Sequence, residues 1–369
     1  MDIVEATRGF ELWLAKRISV VPHQLVDKHA EMADSSVSFL RGTFYRWAQM
    51  FSEVCPELAG STQVLAVGDL HIASFGTWRD QFGRLIWGID DFDEVYPLPY
   101  ANDLVRLAVG AIIDARAGEL KVGIKNVCEV VIDGFRKGLA AGGRAFVLEE
   151  RHAWLRQHAL EHLDKPRDLW KKMDDLPAVR AAVPEPARKA IARLLPDPRI
   201  SCRIVRRIAG VGSLGHPRYV AIFDWKDGQL AIEAKQASPS ACAWAKPGGS
   251  QAIHYQQVLN NAVRCQDPFV CLSGKWLVHQ LSPDSSRVEI ESMNGIKDQD
   301  RLLHAMAWEA ANVHLGTSGA AKRVVADLGK RPAKLWRSAV KDMVKQIVDD
   351  WHDWKRAHRS RIARRKSPN

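Results

Sequence analysis

Two short segments, far apart in the chain, constrain its fold more than any average property. The first is GDLHIASFG (Gly68–Gly76), followed closely by IDDFDE (Ile89–Glu94). The second is GVGSLG (Gly210–Gly215), followed by AIEAKQA (Ala231–Ala237). Both are framed by β-patterned residues. Val64–Val67 is a short apolar strand entering the Gly68-Asp69 turn, and Arg84–Ile89 is a second strand running into the acidic cluster. Around the glycines, Ser201–Ala209 alternates and Arg218–Trp225 is rich in strand formers. Lys226-Asp227-Gly228-Gln229 is a turn signal, and Leu230–Ala237 reads as the next strand. Lys275–Leu281 is a further strand.

The rest of the chain has helical periodicity. Phe39, Leu40, Phe44, Trp47, Met50 and Phe51 recur at helix spacing within residues 1–60. Pro97 and Pro99 make a rigid connection, after which Asn102 reads as the N-cap of a helix over Asp103–Arg116. From about Val122 to Leu195 the pattern is helical, broken by Gly142–Gly143 and by prolines. Helix returns over Asp298–His314 and from Pro332 to about Arg364. Ser238–Ser250, rich in Ala, Pro, Gly and Ser, reads as a mobile loop. The expected architecture is α+β in three stretches: helical 1–199, a small antiparallel β-unit over 200–285, and helices again over 286–369.

Composition narrows the classes. Hydrophobic residues make up 46% of the 369, enough for a proper core. The six cysteines form no CxxC pair, so neither a zinc site nor a disulfide framework is expected. No uncharged stretch is long enough to span a bilayer, and the N-terminus lacks the apolar segment of a signal peptide. A cytoplasmic setting without membrane contact follows as the expectation. More than half of the +10 net charge falls after Asp353, in a tail with no aromatic residue beyond Trp354. That pattern fits a solvated helix end better than a nucleic-acid surface.

GxGxxG alone is a weak signal. Here a strand pattern, not a helix, follows it, so the loop is expected to link antiparallel strands, either folded over phosphate groups or as a plain hairpin with convenient glycines and an exposed lysine. In the first case Lys235 on the third strand reaches the same phosphates as a point charge. In the acidic segment, Asp69 sits in a turn directly after a strand, where a carboxylate can orient a hydroxyl and accept its proton. A second carboxylate is needed for Mg²⁺, with Asp91 leading and Asp93 on the same strand face. A two-metal phosphoesterase is the competing reading of Asp69 and His71, but the other histidines lack the context that chemistry requires. His71 otherwise reads as a scaffold hydrogen-bonder. Asp103 and Arg106 share a helix face, either as a local ion pair or as a brace for the catalytic turn. Arg41 either ends a helix or faces a phosphate. Lys235 has no evident ion-pair partner in the helix expected after it, because no carboxylate occurs between Gln236 and Gln266.

These residues resemble the domain of unknown function 2252 family of bacterial proteins. The resemblance rests on FLRGTF around Arg41, GDLHIASFG, DFDE, the Asp103/Arg106 helix, GVGSLGHPRYV, the Lys235 strand, WLVHQLSPD and WEAANVHLG. The same motifs resemble aminoglycoside phosphotransferase-type kinases, with the acidic and glycine-rich parts in reverse order. The likeness implies a two-lobed, circularly permuted kinase-like fold and Mg-ATP-dependent transfer of a phosphoryl group to a hydroxyl acceptor. It implies Asp69 as base, Asp91 as the main Mg²⁺ ligand with Asp93, and Gly210, Gly212, Ser213 and Gly215 over the phosphates of ATP above Lys235. It also implies adenine against the backbone near Gln280. Three positions depart from the pattern. Ser74 replaces the metal-binding Asn as a weaker ligand, Gln236 replaces a Glu, and His279 replaces an Arg. These departures keep open a nucleotide-binding protein that performs no transfer.

Overall fold

The structure, a computed structural model, describes residues 1–118, 123–163, 165–179, 182–285 and 296–366. Expectations that fall on Val122, on 286–295 and on Ser367–Asn369, the end of the basic tail, lie outside the described residues. So do the side chains of Arg361, Arg364, Arg365 and Lys366. Helix outweighs strand, and among the described residues every strand pairing is antiparallel, so the class is α+β. Among the described residues no helix is long and apolar enough to cross a membrane.

The strands are β1 (Gln63–Ala66), β2 (Phe75–Arg79), β3 (Leu85–Ile89), β4 (Tyr96–Pro99), β5 (Phe146–Val147), β6 (Arg203–Arg206), β7 (Arg218–Trp225), β8 (Gly228–Gln236), β9 (Val270–Ser273) and β10 (Trp276–Leu281). They form a pair β1-β4, a sheet β2-β3-β5, and a five-stranded sheet ordered β6-β7-β8-β10-β9. The β7–β8 hairpin closes on Lys226-Asp227, with Trp225 opposite Gly228 and Lys226 at φ 53°. This is the tight-turn geometry that twisted hairpins favour. Strand alternation sorts β8. Ile232 and Ala234 pack with Tyr219, Ala221 and Phe223 under the helix Glu185–Ala192. Ala231, Glu233 and Lys235 occupy the other face.

The main core is built from both ends of the chain. Ile3, Phe10 and Leu14 share it with Trp336, Met343 and Ile347 of the long helix Ala333–Lys366. Arg46 pairs with Asp350 at 2.8 Å, and Trp354 donates to the His29 carbonyl at 3.1 Å. The helices Ile124–Ala140 and Ile296–His314 meet so closely that a Cβ on Gly134 would collide with the His304 carbonyl.

Several expectations are corrected. The helix expected to start after Asn102 begins at Tyr100, because Pro99 takes the cap and Asn102 turns inward. The connection through Pro97 and Pro99 is a strand. It is tolerated because, among the described residues, β4 pairs only with β1 and needs few N–H donors. Ser238–Ser250 does not stand off as a loop. Its small residues let Ala241–Ala243 enter the main core, and Ser240 donates to the Glu94 carbonyl at 3.1 Å. Packing also crosses the expected cut at 199/200. The helices Pro166–Asp174 and Glu185–Ala192 cover the five-stranded sheet, whereas Tyr255, Val258 and Leu259 join the main core.

Gly134→Ala tests whether the late helix Ile296–His314 completes the early core. Overpacking there should cost about 1–3 kcal/mol, read as a lowered urea midpoint at unchanged slope. A midpoint equal to wild type would mean that the two helices do not pack at this distance.

Candidate functional site

The turn after β1 is held by buried polar groups. Gly68 has φ +83°, and any side chain there would meet the Glu94 carbonyl. Asp103, fully buried, accepts the Val67 N–H at 2.8 Å and the Gly68 N–H at 3.0 Å. His314 Nε2 bonds the same carboxylate at 2.8 Å. Asn102 donates to the Gly68 carbonyl at 3.1 Å and accepts from Trp47 Nε1 at 2.9 Å. Three helices therefore grip one turn, and Asp103 acts as a brace rather than as a partner of Arg106.

Arg106 is spent on Asp69 instead. Its Nε donates to Asp69 Oδ1 at 2.7 Å, and Nη2 donates to the same oxygen and, at 2.9 Å, to the Leu40 carbonyl. The guanidinium lies against the rings of Phe44 and Trp47. Among the described residues no hydrogen bond falls on Asp69 Oδ2. Burial pushes the Asp69 carboxyl up. Arg106 opposes that shift, nearby Asp91 reinforces it, and the net direction is upward.

The acidic cluster meets the five-stranded sheet directly. Lys235 of β8 donates to Asp93 Oδ2, so its ion-pair partner comes from the early acidic turn and not from the segment that follows it. Burial pushes the Asp93 carboxyl up, but Lys235 outweighs it and leaves the carboxyl below its usual range. Two residues before Lys235, Glu233 is fully buried between Arg207 (3.1 Å) and Arg218, with His279 at 3.7 Å. Burial pushes its carboxyl up, but the neighbouring cations win and hold it far below the normal range. Burial drives His279 down to about 4. Glu94 is the opposite case. Burial raises it to about 8, although the Ala241 N–H donates to Oε2 at 2.7 Å.

Two adjoining cavities occupy the junction. The outer cleft, about 570 Å³, is lined by Asp91, Asp93, Gly210, Ser213, Lys235 and Gln280, among others. An inner chamber of about 80 Å³ shares Asp91, Asp93, Gly210 and Ser213 and adds Asp69, Gly212, Lys28, Arg41, His71 and Glu94. Two expected site residues are not brought there. Ser74 is fully buried, and its hydroxyl donates to the Asp69 carbonyl at 3.1 Å and meets His71 Nδ1 at 3.3 Å. Gly215 turns to the N-terminal helices, donating to Gln24 Oε1 at 3.2 Å and accepting from the Val21 N–H at 2.9 Å. Gln236, which replaces the expected Glu, accepts from the Ser19 N–H at 3.1 Å. Lys28, Arg207 and Arg264 were not marked by any motif, and Glu94, the last residue of IDDFDE, was given no role. Among the described residues no group of three or more His, Cys, Asp or Glu side chains is arranged to hold a metal ion.

A family model for an uncharacterised protein conserved in bacteria (DUF2252) matches residues 17–192 and 202–357. The chain belongs to this family. Both motif segments, the brace at Asp103 and the partner His314 fall inside the matched stretches. No curated protein and no solved structure matches the chain.

Two outcomes follow from this electrostatics. Arg106→Met leaves Asp69 without its cation and should cost about 3 kcal/mol or more at neutral pH. The cost should shrink as pH falls, because a carboxyl already raised by burial takes up a proton more readily; chemical denaturation across a pH series checks this. For Glu94, the folded value near 8 lies above the ordinary 4.5. The folded state holds a proton that the unfolded chain has lost, so stability falls as pH rises through that window. Glu94→Gln should therefore gain on wild type between about pH 5 and 8, by about 1 kcal/mol or more. A pH-independent difference would contradict the assignment.

Proposed function

We propose that this protein is a phosphotransferase that uses a nucleoside triphosphate, ATP in the simplest case, with Mg²⁺ and a hydroxyl-bearing acceptor. The observation that carries the reading is the Lys235–Asp93 ion pair. It joins the glycine-rich strand pair to the acidic turn, so that loop, lysine and carboxylates line one cleft. In this reading the five-stranded sheet is the small lobe of a kinase-like fold. Helices from both chain ends make the large lobe, which is the arrangement a circular permutation produces.

Each residue then has a role. Gly210, Gly212 and Ser213 lie over the phosphates, and Lys235 leaves Asp93 to bind their oxygens. Mg²⁺ suits a site that offers only one or two carboxylates, because phosphate oxygens and water complete its shell. Asp91 fits that need. It lines both cavities, and among the described residues its carboxylate accepts only a long contact from the Asp93 N–H at 3.4 Å. Asp93 is the second ligand once Lys235 moves away. When bound, the ion would neutralise charge on the phosphates. Asp69, held at Oδ1 by Arg106, takes the proton of the acceptor hydroxyl at Oδ2. The acceptor oxygen bonds to the γ-phosphorus, the bond from that phosphorus to the β–γ bridging oxygen breaks, and ADP leaves with the electron pair.

One observation favours a second reading, nucleotide binding without transfer. Ser74, at the position expected to supply a metal ligand, is sealed inside its own turn. Thermal melting separates the two. Mg-ATP well above its Kd should raise the Tm by about 3 °C or more, and Lys235→Met or Asp91→Ala should remove the rise. Asp69→Asn should keep the rise while phosphoryl transfer is lost. A rise without turnover across a panel of hydroxyl acceptors supports binding alone. No rise at millimolar Mg-ATP rejects both readings.

A further inference from the structure

Lys28 lies in the helix Pro22–Asp34, in a stretch that no motif marks. The residue is 5% exposed, and its ammonium donates to the Gly212 carbonyl at 3.1 Å. An ammonium has three N–H donors. Among the described residues this is its one hydrogen bond, and it makes no ion pair. The Tyr45 ring lies 5.9 Å from Nζ. Glu11, Glu94 and Asp69 act on the charge only through space, and burial still pulls the lysine below its ordinary value. A buried cation without a paired anion is costly, and a methionine would fill the space without that cost. Lys28 also points somewhere specific. It lines the inner chamber with Arg41, Asp69, Asp91 and Gly210, whereas Lys235 lines the outer cleft.

We propose that Lys28 is an oxyanion-binding residue whose remaining N–H donors take the oxygens of a tetrahedral phosphoryl group in the inner chamber. Naming the anion as the group in transit rests on the phosphotransferase reading; the anion site itself does not. During transfer, charge spreads over the equatorial oxygens of that group, and a preplaced donor in a small chamber stabilises it. No bond to Lys28 forms or breaks. Lys235 holds the nucleotide at the outer end and Lys28 meets the transferring group at the inner end, with Asp69 and Asp91 between the two roles. Because Lys28 also holds Gly212, an anion in the chamber and the glycine-rich loop share one cation.

The test uses the full chain and inorganic phosphate as the probe, followed by Mg-ATP. Phosphate alone should raise the Tm of wild type and leave that of Lys28→Met unmoved, with Lys28→Arg recovering part of the shift. Lys28→Met without ligand should melt at or above the wild-type temperature, since it removes a buried charge. With Mg-ATP, Lys28→Met should keep KM within about twofold while kcat falls about 100-fold, the scale of one lost oxyanion donor. If Lys28→Met melts lower, keeps the phosphate shift and keeps kcat, Lys28 is only a clamp for Gly212 and the inference is overturned. A phosphate shift that depends on Lys28 in a chain that never binds ATP upholds the anion site and removes the phosphotransferase reading. Turnover that is indifferent to Lys28→Met does the reverse.

Discussion

A buried carboxylate organises this protein. Asp103 has no solvent contact, yet it accepts two backbone N–H groups from the turn after β1 and a bond from His314. Charge-assisted bonds of this kind are short and strong, and losing any partner leaves a buried charge uncompensated. The turn, the helix Tyr100–Ala117 and the late helix Ile296–His314 are thereby locked together. With the turn fixed, Arg106, one helical turn beyond Asp103, falls beside Asp69 and aims it at the inner chamber. The orientation of the acid follows from the position of the brace.

The carboxylates in the cavity wall, and Glu233 buried behind it, are kept apart by environment. Asp93 and Glu233 are held ionised by cations close at hand. Asp69 and Glu94 sit where burial raises the cost of their charge. Divergent carboxyl environments within one site allow different roles, since a group held ionised suits a cation and a raised one suits proton exchange. The cations are divided as well. Arg207 and Arg218 are committed to Glu233, Arg106 to Asp69 and Lys235 to Asp93. Among the described residues Lys28 is committed to a carbonyl alone.

Local chemistry made part of this legible before any coordinates. The β7–β8 hairpin is specified by Lys226-Asp227-Gly228, and Asp69 and Asp91 are marked by following apolar strands directly. The family signature spans nearly the whole chain, and its residues could be quoted motif by motif. What escaped depends on distance. The partner of Lys235 lies 142 positions earlier, beyond any local pattern. Lys28 occupies an ordinary position in PHQLVDKHAEMAD, and only the arrival of the loop at Gly212 buries it. Ser74 matched a ligand position by spacing, but backbone geometry turned its hydroxyl onto the Asp69 carbonyl. The Ala- and Gly-rich stretch 238–250 has the composition of a loop, and the same small side chains are what let it enter a tight core.

The central claim is that Lys235 and the acidic turn face the phosphates of one nucleotide. An acyl-phosphate derivative of ATP acylates lysines beside the triphosphate, and peptide mass spectrometry locates the mark. The account predicts that Lys235 is labelled ahead of the exposed lysines and that excess Mg-ATP protects it. Labelling confined to surface lysines, or labelling of Lys235 that Mg-ATP does not reduce, would contradict the account.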